Sequence, residues 1–147
     1  MLHQLILIIH LLAATIWVGG HLILLLRYVP KAIKNKSLEE LSAFRKNFEP
    51  VGMPSLFILI VTGIIMAYNY NVTIEKWFLF ENAIEKIVSI KLILLFVSLT
   101  LAFITIKFVL PSIDKLSPFL LYFIIFLVTT IAVMMLILGS LVRVGGL

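Results

Sequence analysis

Four long stretches without acidic side chains, and almost without charge, dominate this chain. They cover residues 4–26, 50–74, 87–110 and 116–142, and only the third contains charges, at Lys91 and Lys107. An α-helix of about 20 residues crosses the roughly 30 Å hydrocarbon core of a membrane. Each stretch is long enough for that, so each predicts one transmembrane helix.

The composition excludes a soluble domain. Of the 147 residues, 63% are hydrophobic, and the mean hydropathy is +1.21, which leaves no polar surface for a globular fold in water. We predict an all-α polytopic membrane protein, a four-transmembrane-helix bundle that forms a single domain over residues 1–147. The spans are expected at about residues 4–27, 52–72, 87–109 and 118–142, so any chemistry must lie within the bundle.

The first connection has a pattern of its own. Ser37 followed by Glu40 matches a capping box, and Leu41, Phe44 and Phe48 recur at helical spacing. We expect a short interfacial helix at about residues 38–48, with its apolar side in the headgroup zone.

Basic residues predict the orientation of the spans. One side of the membrane receives Lys107 and the basic residues of the first and third connections, which are Arg27, Lys31, Lys34, Lys36, Arg45, Lys46 and Lys115. The other side receives Lys76, Lys86 and Arg143. Because positive charge collects on the cytoplasmic side, we expect a multi-pass inner-membrane protein with both termini outside. The net charge of +5 then indicates topology and attraction to anionic lipid, so the bilayer is the expected partner and nucleic acid is not.

Histidines within the first span are the strongest functional signal, because ionisable residues inside a membrane usually have a role. His3, His10 and His21 share one helix face, and Trp17 lies near it. His10 and His21 are about 16 Å apart along the axis, so one ion cannot bind both. Such a stripe suits axial ligands of porphyrin iron, or stations on a copper or proton path. Trp17 is a candidate cofactor-binding residue, because its ring can pack against a flat ligand. The alternatives are structural: a hydrogen-bonded buried imidazole at His10, a hydrated helix end at His21 and simple packing at Trp17.

Lys91 is the best partner for His10, because both spans begin on the outer side and the two residues should lie at similar depths. Lys91 also heads a small and polar stripe that contains Ser98, Ala102 and Thr105, as on a bundle-facing side of a helix. Alternatively, the span begins at Leu92 and the Lys91 amine extends to the headgroups. Cysteine is absent, and no hydrolase or kinase motif occurs, so an enzyme would have to rely on a cofactor.

The order of these elements resembles a known family. The segment from His10 to Gly20, with Trp17 and Gly19, is similar to the opening helix of the copper resistance protein D (CopD) family. The likeness continues through a second set of residues: Phe48, Pro50, Gly52, Pro54, Thr62, Gly63, the Ile90-Lys91-Leu92 segment and the closing Arg143-Val144-Gly145-Gly146. This resemblance implies a small four-helix membrane protein that handles copper.

The layout is also similar to the HemJ-like protoporphyrinogen oxidase family. That resemblance implies haem b bound by a first-helix histidine and a third-helix lysine, which correspond to His10 and Lys91. The leading hypothesis is a CopD-like protein that binds haem b for electron transfer or porphyrin-linked redox chemistry, and as an enzyme it would be a haem-dependent membrane oxidoreductase. Copper transport along the histidines, HemJ-like protoporphyrinogen IX oxidation and a cofactor-free subunit of a membrane complex are the alternatives. A homo-oligomer or a redox partner is compatible with each.

Overall fold

The protein consists of four long helices. A computed structural model describes residues 1–112 and 118–142, and within them there is no strand. All four helices are long and apolar enough to cross a membrane, which confirms the predicted all-α four-helix fold. They are α1 (Leu2–Asn35), α2 (Glu39–Asn69), α3 (Ala83–Val109) and α4 (Pro118–Val142).

The helices are packed in the order α2, α1, α4, α3. Helix α1 lies against α2 along most of its length and also against α4, and α4 lies against α3. Among the described residues, α2 and α3 have no extensive packing of their own. Helices α1 and α4 are therefore central, and α2 and α3 flank them.

The first helix is longer than expected. It continues past residue 27 to Asn35, and Lys36 then ends it in a left-handed conformation with φ 49°. Within α1 the segment Leu24–Tyr28 is π-helical, and α-helix resumes at Val29. A proline at position 30 lacks an N–H and its ring crowds the carbonyl four residues back. The widened π turn makes room for that ring, so the helix passes through Pro30 without stopping.

A second π segment, Thr105–Val109, precedes Pro111 in the same way. This π segment changes the helix register after Ile104. The predicted small and polar stripe that starts at Lys91 extends to Thr105, which is the first residue of the π segment. Ser98 of that stripe is buried, but Ala102 is exposed. The stripe therefore does not form one continuous bundle-facing surface.

The prediction of a separate interfacial helix at residues 38–48 was wrong. Helix α2 begins at Glu39, close to the expected start, but it runs without a break to Asn69 with Pro50 and Pro54 inside it. The Ser37 hydroxyl accepts a hydrogen bond from the Glu39 N–H at 3.2 Å, which begins the helix. The other expected spans are close to the observed helices, although α3 begins at Ala83 rather than at residue 87.

An apolar cluster joins the helices near the α1–α2 turn. Its buried members come from all four helices: Val29, Ala32, Leu41, Val109, Leu121 and Ile124. Nearby, the Phe48 ring lies over Gly20 of α1 and Gly52 of α2 and occupies the positions that a Cβ on either residue would take. Because both glycines lack a Cβ, the ring fills the space between the two helices and fixes how they align.

The connection between α2 and α3 folds back on the start of α3. Asn82 caps that helix by accepting a hydrogen bond from the Glu85 N–H at 2.9 Å, and the Glu85 carboxylate accepts one from the Glu81 N–H at 3.2 Å. Ser89 accepts a further one from the Phe78 N–H at 3.2 Å. Lys115 and the closing segment from Arg143 lie outside the described residues.

Candidate functional site

Helices α1 and α2 form an antiparallel pair whose residues face each other in a simple register. His3 faces Asn69, His10 faces Thr62, and Gly20 and Gly52 share the Phe48 ring. In each pair the two members are equally far along the chain from the turn at Lys36. The turn and the Phe48 contact therefore position every histidine of the predicted stripe against α2.

The His10 imidazole is oriented by Thr62. Its Nδ1 lies 2.7 Å from the Thr62 hydroxyl oxygen, and that hydroxyl donates its only hydrogen to the Ile58 carbonyl at 2.6 Å. The threonine oxygen then acts as the acceptor for Nδ1–H, and in the neutral imidazole this arrangement makes Nε2 the nitrogen without a proton. Within the described residues Nε2 has no hydrogen-bond partner. A histidine that ligates a metal through one ring nitrogen is commonly oriented by a hydrogen bond from the other ring nitrogen.

Space beside the imidazole comes from a glycine. The position that a Cβ would take on Gly63 is 3.5 Å from His10 Cε1. Gly63 therefore leaves the edge of the ring free of a neighbouring side chain. The His10 side chain is half-buried.

Lys91 reaches the interior from α3. It lies two turns after the helix start at Ala83, and its Nζ is 3.4 Å from the position that a Cβ would take on Gly139 of α4. The amine is half-buried, and neither an ion pair nor a hydrogen bond to it is found in the described part of the chain. Lys91 is also near enough to His10 for their charges to interact. Helices α1 and α3, which do not pack extensively on each other, thus place these two nitrogen groups within electrostatic range of each other.

His21 and Trp17 form a separate group, deeper along α1. The Nδ1 of His21 donates to the Trp17 carbonyl at 2.8 Å, and the two rings lie 4.5 Å apart. On its other side the imidazole contacts the edge of Phe48, with centroids 6.5 Å apart. These contacts are those of a packed aromatic cluster, and they place Trp17 beside His21, two helical turns away from His10.

A shallow pocket opens at the end of the α1–α2 pair that lies opposite the turn at Lys36. It is lined by Leu2, His3, Ile6, Ile65, Asn69 and Tyr70. His3 Nδ1 lies 3.3 Å from the Asn69 amide nitrogen, and the His3 ring meets the Tyr70 ring edge to face at 5.9 Å. The lining thus combines apolar side chains with three polar ones.

The donor set restricts the metal chemistry. In the part of the chain that is described, no three histidine, cysteine, aspartate or glutamate side chains converge as a metal-binding group. A bare copper or zinc ion usually takes three or four protein ligands.

Sequence reasoning singled out His10, Lys91, Trp17 and His21 but missed the residues that support them. Thr62 and Gly63 were noted only within the family resemblance, and Asn69 and Gly139 were not considered. A signal did exist for Thr62 and Asn69, because each is as far from Lys36 as the histidine that it contacts. Gly139 had no such signal, since its contact joins α3 and α4.

Comparison with known proteins adds no relative. No family model, no curated protein and no solved structure matches this chain. The resemblances to the CopD and HemJ-like families therefore stay predictions.

Proposed function

We propose that this chain is a redox protein of the inner membrane that binds a b-type haem through His10 of α1 and Lys91 of α3. These two side chains would hold the iron, and the role would be electron transfer or porphyrin-linked redox chemistry. The observation that carries the proposal is the Thr62 contact. It leaves His10 Nε2 as an acceptor in a half-buried position, within electrostatic range of Lys91. Among the described residues, neither Nε2 nor the lysine amine has a hydrogen-bond or ion-pair partner.

The donor chemistry fits haem better than a free metal ion. A porphyrin supplies four nitrogen ligands to its iron, so the protein needs to add only one or two. In the neutral imidazole the Thr62 contact makes Nε2 the unprotonated nitrogen that a ligand requires, and Lys91 would ligate as the neutral amine. Bound haem would supply one-electron redox chemistry to the site.

The chain itself orients the ligands and excludes water. Thr62 orients the imidazole through Nδ1, while Gly63 and Gly139 add no side chain of their own beside the two ligands. The surrounding helix surfaces are almost entirely apolar, which keeps water from the iron. We place the site on the outer side of the membrane, because the basic residues gather around the opposite ends of the helices.

Absorption spectroscopy tests the proposal directly. Protein produced with added haem precursor and purified in detergent should show a Soret band and about one haem per chain. The variant His10→Ala should lose the band, whereas His21→Ala, which alters a histidine of the same helix, should keep it. A wild-type protein without a Soret band, or an unchanged spectrum in His10→Ala, would falsify haem ligation by His10.

The second ligand has a separate test. Replacement of Lys91 by methionine should change the coordination and therefore shift the Soret band, with the haem retained by His10. The matched control is Lys107→Met, since Lys107 lies on the same helix but contacts Phe103 and Phe108. Identical spectra in the wild type and Lys91→Met would remove Lys91 from the iron.

Metal analysis of the same samples separates the alternatives. Colourless protein that contains copper and loses it in His21→Ala would support copper passage along the histidines. Colourless, metal-free protein that purifies with a stoichiometric partner would support a structural subunit.

A further inference from the structure

The α1–α2 pocket carries polar groups that no part of the haem site has used. His3, Asn69 and Tyr70, here called the polar rim, line it together with the apolar side chains of Leu2, Ile6 and Ile65. All three polar side chains are exposed, and they offer an imidazole, an amide N–H₂ and a phenol O–H. Such groups donate hydrogen bonds and suit an anionic acceptor such as a carboxylate.

The rim is aligned with the proposed ligand. His3 lies two helical turns above His10 on the same face of α1, and Asn69 lies two turns from Thr62 on the facing side of α2. Seven residues of helix correspond to about 10 Å, which is comparable to the reach from the centre of a porphyrin to its carboxylates. Ile6 and Ile65 lie between the two levels and offer the apolar surface that a porphyrin ring requires.

This arrangement has the polarity of one amphipathic ligand. A nitrogen donor lies at the inner level, apolar side chains lie above it, and hydrogen-bond donors stand at the mouth. A haem has the same order of chemistry from its iron to its two carboxylates.

We infer that His3, Asn69 and Tyr70 form an anchoring subsite for the carboxylates of the tetrapyrrole that His10 ligates. The inference rests on the proposed function and extends it. His3, Asn69 and Tyr70 are positioning residues, which hold the porphyrin edge at the outer surface and so set the orientation of the ring.

Binding of two porphyrins that differ only in these carboxylates tests the inference. Haem and its dimethyl ester, in which both carboxylates are neutral, are titrated into haem-free protein in a detergent without charge, so that the porphyrin is the only anion. Wild-type protein should bind haem about tenfold more tightly than the ester, because only the charged carboxylates of haem accept strong hydrogen bonds from the subsite.

The variants Asn69→Leu and His3→Phe should lose that preference. Each should bind haem about tenfold more weakly than the wild type but bind the ester with unchanged affinity, which also shows that the variant is folded. The matched control is Gln4→Leu, because Gln4 is an exposed amide beside His3 that does not line the pocket. It should behave like the wild type with both ligands.

The outcomes separate the inference from the proposal beneath it. Haem binding with a Soret band, combined with equal affinity for haem and the ester, would overturn the subsite and leave ligation by His10 intact. Equal loss of affinity in Gln4→Leu and Asn69→Leu would overturn it as well. Wild-type protein that binds neither porphyrin would overturn the proposed function and the subsite together.

Discussion

At the scale of single residues, the orientation of the His10 imidazole depends on one hydroxyl. Thr62 is buried, and it donates to its own helix while it accepts from His10. Without the hydroxyl, the imidazole would be free to rotate and to exchange its tautomer. The position of His10 in the sequence does not determine which ring nitrogen donates a hydrogen bond. This follows from the contact of Nδ1 with Thr62 on α2.

Replacement of Thr62 by valine removes that hydroxyl at nearly constant volume. We expect haem affinity to fall by about tenfold, as for other losses of an orienting partner of a metal ligand, and the free energy of unfolding to fall by about 1 kcal/mol. Titration with haem and thermal unfolding in detergent measure the two effects.

Two further variants test the cause. Thr62→Ser keeps the hydroxyl and should restore most of the affinity. Thr100→Val removes an exposed threonine hydroxyl that bonds only to the Phe96 carbonyl, and it should change neither quantity. Loss of affinity in Thr62→Ser equal to that in Thr62→Val would argue against the hydroxyl.

At the scale of elements, the α1–α2 pair is aligned by an aromatic ring in a cleft between glycines. Phe48 lies over Gly20 and Gly52 and stacks on Phe44, with ring centroids 5.4 Å apart. Phe44 in turn contacts Tyr28 at 4.7 Å. Small residues allow such close approach between membrane helices, and the register that results carries His10 to Thr62.

Gly20→Ala should disturb this alignment. The added Cβ would overlap the Phe48 ring, which has little room to move between Gly52 and Phe44. We expect the free energy of unfolding to fall by about 1–3 kcal/mol, as for other overpacked cores. Thermal unfolding followed by circular dichroism in detergent measures the change.

The neighbouring glycine provides the control. A Cβ on Gly19 would meet nothing within 4 Å, so Gly19→Ala should leave the unfolding midpoint unchanged or slightly higher. Combining Gly20→Ala with Phe48→Leu should recover part of the lost stability. Equal effects of the two alanine substitutions would show that the ring contact does not limit stability.

The N-terminal cap of α3 is a second feature that stabilises a single element. Asn82 accepts a hydrogen bond from the Glu85 N–H at 2.9 Å, and Asn82→Ala should cost about 1 kcal/mol of stability. Asn82→Asp keeps the acceptor and should cost little. A midpoint of thermal unfolding that is the same in Asn82→Ala as in the wild type would contradict this role.

At the scale of the whole molecule, the α1–α2 hairpin is longer than a membrane is thick. Thirty-four residues of helix in α1 correspond to about 51 Å, compared with a hydrocarbon core of about 30 Å. The part beyond the core carries the basic residues of the first connection, among which Lys31 pairs with Glu40 at 2.7 Å. The hairpin tip therefore belongs in the headgroup zone or in water.

Cysteine labelling tests the orientation of this hairpin, because the chain contains no cysteine of its own. Glu39→Cys introduces a thiol near the tip, and Glu75→Cys introduces one between α2 and α3; both positions are exposed. In intact spheroplasts a membrane-impermeant maleimide should label position 75 and not position 39. After lysis it should label both. Labelling of position 39 in intact spheroplasts would reverse the topology.

The sequence by itself determined the membrane class, the number of helices and the candidate ligands. The free-energy cost of charge and of unpaired backbone in hydrocarbon makes long uncharged runs into helices whatever surrounds them, and the same cost makes His10 and Lys91 conspicuous. Helix ends were harder to predict, because a proline usually marks a helix boundary. Here α1 continues past Pro30 after a π turn, and α2 continues past Pro50 and Pro54 as α-helix.

Only the tertiary structure decided which side chains meet. Nothing in the local pattern of α1 specifies that His10 faces a threonine, since this depends on the turn at Lys36 and on the ring of Phe48 between two glycines. The contact between Lys91 and Gly139 depends likewise on the packing of α3 against α4. Apolar burial is not directional, so it drives each helix into the membrane without choosing its neighbours. Those contacts follow from shape and from a few hydrogen bonds, which form only when the whole chain has folded.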